Sequence, residues 1–262
     1  MESKIKAPTT AQVIVAIARR EIMMAMRRRL VKLLFLVSLL PPIVMAAILV
    51  GIMIAKGLGA DLEWDPLVQL LKIQIWFILA LALAVGTPIV ARDRSEDVLF
   101  LYATRPVTPW SYTFGKMLAV AVPAVALLLI PGILIAVLRA GLLDEFGFVE
   151  SLDLLVRIAI VAILVAWGYA GVTVGPSAAA KKTRWALLLA FACFLIPSAL
   201  SQIIWRDSIY ALDPETACDD LIATLFDGYR ASYGIVGAIT LVAWGTLGAL
   251  VTSARVRKEM IP

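Results

Sequence analysis

Six stretches of this chain, each 19 to 23 residues long, contain no Asp, Glu, Lys or Arg: Leu33–Ala55, Ile73–Ala91, Met117–Leu138, Ile158–Ala180, Trp185–Trp205 and Tyr233–Ala254. A helix needs about 20 mostly apolar residues to cross the hydrocarbon core of a bilayer. Core helices of soluble proteins are seldom free of charge for so long. The composition agrees: 62% of the 262 residues are hydrophobic and 16% are charged, against about 45–50% and about 25% for soluble domains. The stretches run from residue 33 to residue 254, so no sizeable soluble domain fits between them. The expectation is an all-α membrane protein with six transmembrane helices. It forms a single domain over 1–262: a basic segment 1–32, a membrane domain 33–254 and a short tail 255–262.

The connecting segments alternate in charge. Residues 1–32, 92–116, 181–184 and 255–262 together hold 18 basic and 6 acidic residues, while 56–72, 139–157 and 206–232 hold 6 basic and 13 acidic. By the positive-inside rule the basic set faces the cytoplasm. Both termini are then cytoplasmic, and the chain belongs in the inner (cytoplasmic) membrane. The basic pI is explained by this segregation, so nucleic acid is not an expected partner. The first 32 residues are too polar for the apolar region of a cleavable signal peptide.

Within the spans, Pro41-Pro42, Pro88, Pro123, Pro131, Pro176 and Pro197 remove backbone donors. They mark kinks, or hinges for alternating access. Gly171 and Gly175 form a G-x-x-x-G pair that permits close helix packing or dimer formation. Trp64, Trp76, Trp110, Trp185 and Trp205 lie at or near segment ends, as interfacial anchors do. Cys193 and Cys218 carry no disulfide framework.

Reactive chemistry is hard to place. The chain has no histidine, hence no imidazole base or ligand. No ionisable residue lies inside a span to form a proton relay. The Gly115-Lys116 pair follows Trp110 and precedes Met117, so it lacks the upstream glycine and downstream hydroxyl of a phosphate-binding loop. Asp213, Glu215, Asp219 and Asp220 cluster in an external loop, which reads as solvated or as a divalent-cation binder. No cofactor is expected in this chain, and it is not expected to be an enzyme.

Two cytoplasmic segments have more to say. Over Thr10–Arg29 the residues Ile14, Ala18, Ile22, Ala25 and Met26 share one helical side, with Arg20, Glu21, Arg27 and Arg28 opposite. This is an interfacial amphipathic helix capped at Thr9 or Thr10 without a full capping box, or a plain topogenic arginine run. The loop Arg92–Lys116 contains Val98-Leu99-Phe100-Leu101-Tyr102 among charges. Exposed apolar residues in that setting predict a docking surface. Pro106 biases Arg105 away from the helical region, so a short helix should end near Ala103.

This loop resembles that of the ABC-2 type transporter permease family. After an acidic start at Glu96, Leu99–Thr104 match the family's short leucine-rich helix. Arg105-Pro106-Val107-Thr108 match its core, and Gly115-Lys116 its close. Asp97-Val98 replaces the usual Gly-Thr, and Pro109 stands where a basic residue follows the core. The resemblance implies a permease, a homodimer, that pairs with a separate cytoplasmic ATPase holding the ATP and Mg. Glu96, Leu99, Phe100, Leu101, Tyr102, Arg105 and Pro106 would then form the coupling helix and its exit. The competing readings are an ion-coupled carrier or channel, and a scaffold anchoring soluble partners.

Overall fold

The computed structural model describes residues 8–58, 66–103, 107–143, 148–204 and 212–260. Helix makes up 91% of the structure, and no strand occurs among the described residues. Among the described residues ten helices follow in order: α1 (Thr10–Met26), α2 (Arg29–Val37), α3 (Leu40–Gly57), α4 (Pro66–Ser95), α5 (Val98–Ala103), α6 (Pro109–Leu143), α7 (Phe148–Ala179), α8 (Thr183–Ile204), α9 (Pro214–Phe226) and α10 (Ala231–Met260). Among the described residues five segments are long and apolar enough to cross a bilayer: Arg29–Lys56, Pro66–Ser95, Pro109–Gly141, Thr183–Leu200 and Ala231–Met260. That is the architecture of a multi-pass membrane protein. The expected fourth span lies in α7, which is not among the five. α7 packs against α4, α6, α8, α9 and α10, and its Ile158, Val161, Val165, Tyr169 and Val172 are buried.

The first span is two helices. α2 ends at Val37 and α3 opens with Pro41 and Pro42 in its first turn. A proline there loses no helical bond of its own helix, but the Ser38 carbonyl has no amide four residues on. The buried Gln74 of α4 supplies one: its Nε2 donates to the Ser38 carbonyl at 2.8 Å. Pro88 leaves the Ala84 carbonyl short in the same way, and Arg28 Nη1 donates to it at 3.2 Å. Just beyond, the amides of Val90 and Ala91 donate to Ser177 Oγ of α7 at 3.0 Å each. Both proline sites are thus re-satisfied by neighbouring helices, as lipid demands.

The Gly171/Gly175 pair is used within the chain. A Cβ at Gly171 would meet the Trp244 carbonyl and lie 2.5 Å from Gly245 Cα; one at Gly175 would lie 3.0 Å from Gly248 Cα. These neighbours are α10 backbone, so α7 and α10 touch main chain to main chain.

The acidic loop is not simply solvated. Its residues 214–226 form α9, which lies antiparallel along the first half of α10, Thr224 beside Gly234 and Ala217 beside Gly237. Trp244 Nε1, midway along α10, donates to the Leu212 carbonyl at 2.9 Å. The start of α9 therefore sits deep in the bundle. Asp213 caps it by accepting from the Thr216 amide at 2.8 Å, and Asp213 and Cys218 are buried. Burial pushes Glu215, Asp219 and Asp220 above the usual carboxylate range; neighbouring acids add to this for all three, and Lys72 opposes it at Asp219.

Because the α7–α10 contact is backbone on backbone, Gly171→Leu should destabilise the fold by about 1–3 kcal/mol or more. Gly51 has nothing within 4 Å of an added Cβ, so Gly51→Ala should be neutral or mildly stabilising. Thermal denaturation of the two variants in detergent checks the contrast.

Candidate functional site

The basic segments meet at one end of the bundle, where α4 emerges beyond its Pro88 opening. There Asp93 and Arg94, adjacent on α4, point to two separate ion clusters. In the first, Lys116 of α6 is fully buried. Its Nζ lies 2.6 Å from Asp93 Oδ2, 2.8 Å from Glu21 Oε1 of α1 and 3.1 Å from the Ile89 carbonyl. The Tyr112 hydroxyl donates to Asp93 Oδ2 at 2.7 Å, and the Tyr112 ring lies 5.2 Å under the Lys116 ammonium. A buried cation of this kind needs such a complete shell, because removal from water is costly. Gly115 makes it reachable: an added Cβ would lie 2.7 Å from Ile17 Cγ2, so α1 can lie close on α6.

This corrects the expected face of α1. The helix is present, and Thr9 and Gln12 form a complete capping box. Its packed side, however, includes Ile17 and Glu21. Ile17 is buried, and Glu21 turns inward to Lys116, not out with the arginines. Beside the cluster is a small cleft of about 70 Å³ whose lining includes Arg20, Arg28, Arg92, Glu96 and Tyr102.

In the second cluster, the Arg94 side chain is 4% exposed and forks onto Glu259 near the end of α10. Nε to Oε1 is 2.9 Å and Nη2 to Oε1 is 2.6 Å. Its Nη1 donates to the Ala178 and Ala180 carbonyls at 2.7 and 2.9 Å. Those carbonyls lie at the C-terminus of α7, which lacks helical donors and carries the negative end of the macrodipole. One guanidinium thus ties together α4, α7 and α10.

The loop between the clusters is built by two turns. Asp97 has φ of +52°, the left-handed region that glycine enters freely and Asp tolerates better than most residues. At the far end, Thr108 Oγ1 accepts from the Ser111 amide at 3.1 Å, and Ser111 Oγ accepts from the Thr108 amide at 2.9 Å. Pro109 follows as the first residue of α6, where a proline fits without loss.

α5 occupies Val98–Ala103 between these turns. Leu99 is buried at 3% exposure, which overturns its expected place on an exposed docking face: it belongs to the core. Tyr102 is half-buried, edge-on to Tyr112 at 5.2 Å between centroids. Burial raises its hydroxyl pKa above the ordinary value, Asp93 and Glu21 adding while Lys116 and Arg20 oppose. Glu96 is exposed and pairs with Arg92 at 2.9 Å, a surface contact worth about 0.3–0.5 kcal/mol. The side chains of Phe100 and Leu101, and all of Arg105 and Pro106, lie outside the described residues. Sequence reasoning did not single out Glu21, Asp93, Arg94, Tyr112 or Glu259, nor assign Lys116 a buried role. The available signal was a lysine abutting an apolar span, since buried charges are rare unless they have a task.

Among the described residues no group of three or more His, Cys, Asp or Glu side chains could hold a metal ion. The geometry of the two ion clusters is that of a clamp. No family model and no curated protein matches this chain.

Removing the Lys116 charge leaves two inward carboxylates without their cation. Lys116→Met should cost about 3–5 kcal/mol, and adding Glu21→Gln and Asp93→Asn should restore most of it. Equal thermal stability of the single and triple variants would contradict the clamp. At the turn, Asp97→Val should cost about 1–2 kcal/mol and Asp97→Gly should be tolerated, read by the same melts.

Proposed function

We propose that this chain is the membrane permease subunit of an ATP-driven exporter whose ATPase is a separate cytoplasmic protein. The observation that carries the reading is the loop 92–116. It bears the Arg105-Pro106-Val107-Thr108 and Gly115-Lys116 motif, and its two ends are anchored in the bundle by buried ions, Arg94 with Glu259 at one end and Lys116 with Asp93 and Glu21 at the other. A segment fixed in this way transmits displacement. Pushing on α5 moves α4 and α6 directly, and through the clamps it moves α1, α7 and α10. In this reading Glu96, Phe100, Leu101 and Tyr102, with the exit at Arg105 and Pro106, form the surface that meets the ATPase. Leu99 anchors that surface from beneath.

The same reading takes α7 as a sixth span, enclosed by its neighbours, and places both termini in the cytoplasm of a cell with an inner membrane. The working unit is a homodimer with the substrate path between the copies. The glycines of α7 face α10, so the dimer contact must use other surfaces. An ion-coupled carrier is less well supported. The ion pairs of Asp93, Arg94, Lys116, Glu21 and Glu259 sit at one end of the long helices, and the acids of α9 lie apart from them, beside the middle of α10; the two sets do not join into one chain of groups.

The test is to purify the chain with its ATPase from native membranes and compare it with a Phe100→Asp/Leu101→Asp variant. The complex should hydrolyse ATP, the variant should lose the ATPase while remaining membrane-inserted, and the chain alone should bind no ATP. Saturable nucleotide binding by the chain alone, or unchanged coupled hydrolysis in the variant, refutes the proposal.

A further inference from the structure

A lateral groove of about 230 Å³ opens between α8 and α10. Its floor is the close contact of α7 and α10 at Gly171, Gly175 and Gly248. Its walls are Leu189 and Cys193 of α8, and Leu247 and Val251 of α10. Leu189, Leu247 and Val251 are 44%, 53% and 45% exposed, so the groove faces outward from apolar helix surface. It runs from the level of Trp244, midway along α10, to Ala179 at the last turn of α7. It therefore ends at the basic end of the bundle.

The chemistry changes at that end. Lys181 and Lys182 follow Ala179 by two and three residues, and Arg184 lies in the first turn of α8. Arg255 lies one helical turn beyond Val251 on the same exposed side of α10. All four are exposed, and among the described residues none forms an ion pair; Lys181 and Lys182 also border a neighbouring cleft with Asp97 and with Glu259, which Arg94 engages. This contrasts with Arg94 and Lys116, which are buried and fully engaged. Arg184 is placed over the Trp185 ring, 5.9 Å from its centroid, at the level where an aromatic anchors to headgroups.

We infer that this groove is a binding site for one anionic phospholipid, an acyl chain lying along the glycine floor and the phosphate held by Lys181, Lys182, Arg184 and Arg255. An open apolar groove on a lipid-facing surface is filled by a chain, because an empty one forfeits its dispersion contacts. Unpaired cations at its mouth select a negative headgroup over a zwitterionic one, the usual mode of basic pockets between membrane helices. The inference depends on the membrane location of the chain and not on its pairing with an ATPase.

The experiment titrates the purified full-length chain in neutral detergent with phosphatidylglycerol or chain-matched phosphatidylcholine and counts retained lipids by native mass spectrometry. Phosphatidylglycerol should be held roughly tenfold or more tightly, from the attraction each basic residue near a headgroup supplies. The Lys182→Gln/Arg184→Gln/Arg255→Gln variant should lose that preference. Val251→Trp, which fills the groove, should lower retention of both lipids. Equal affinity for the two lipids, or an unchanged preference in the charge variant, overturns the site. So does a Val251→Trp variant that alters the dimer fraction while lipid retention stays intact, because the groove then belongs to a second copy. If Val251→Trp fails to fold, the charge variant, changed only at exposed positions, decides alone.

Discussion

A helix in lipid has no water to complete its backbone hydrogen bonds, and the opening of α4 at Pro88 is where this chain meets that constraint most sharply. The proline leaves the Ala84 carbonyl without its helical donor, and neighbouring elements bond to this stretch of α4 from outside the helix. Arg28 from the α1–α2 junction donates to Ala84, Ser177 of α7 accepts from Val90 and Ala91, and Lys116 of α6 donates to Ile89. Three elements distant in sequence converge within two turns of α4. Each contact satisfies a backbone group whose exposure to hydrocarbon would cost several kcal/mol. The positions of α1, α6 and α7 around α4 are thereby coupled to one another.

The charged clamps extend the same logic to side chains. Asp93 and Arg94 are neighbours on α4, yet they reach opposite sides, one to Lys116 and Glu21, the other to Glu259 and the end of α7. Bringing such groups out of water costs several kcal/mol per ion, and the cost is offset only when every remaining donor and acceptor finds a partner. Lys116 has two carboxylates, a carbonyl and an aromatic face; Arg94 has a carboxylate and two carbonyls. Satisfaction this complete fixes geometry, so the short helix α5 is presented on a rigid mount even though its own six residues could not hold a helix in isolation.

Between the long helices themselves the packing rests on absence of bulk. Glycines at 171, 175 and 248 let α7 and α10 approach to backbone contact, Gly245 leaves room for the Trp167 ring, and Gly234 and Gly237 admit the Thr224 side chain and the Ala217 carbonyl of α9 against α10. The apolar driving force that folds soluble proteins is weak between helices already in lipid, and close backbone approach replaces it with dispersion. That is why a polar, acid-bearing segment can lie along α10 with Asp213 and Cys218 buried.

Charge-free length and the alternation of basic and acidic connections were legible in the chain itself, because the thickness of the hydrocarbon core and the cost of charge within it act on local composition. The inward turn of Glu21, the burial of Leu99 and Lys116, the pairing of Gly171 with α10 and the descent of α9 into the bundle were not. Each depends on which helix lies opposite. Arg94 and Glu259 are 165 residues apart, and nothing in either neighbourhood names the other. The tertiary structure decided those pairings, because a buried charge or an orphaned carbonyl accepts any partner of the right chemistry and only the packing of the helices determines which one is within 3 Å.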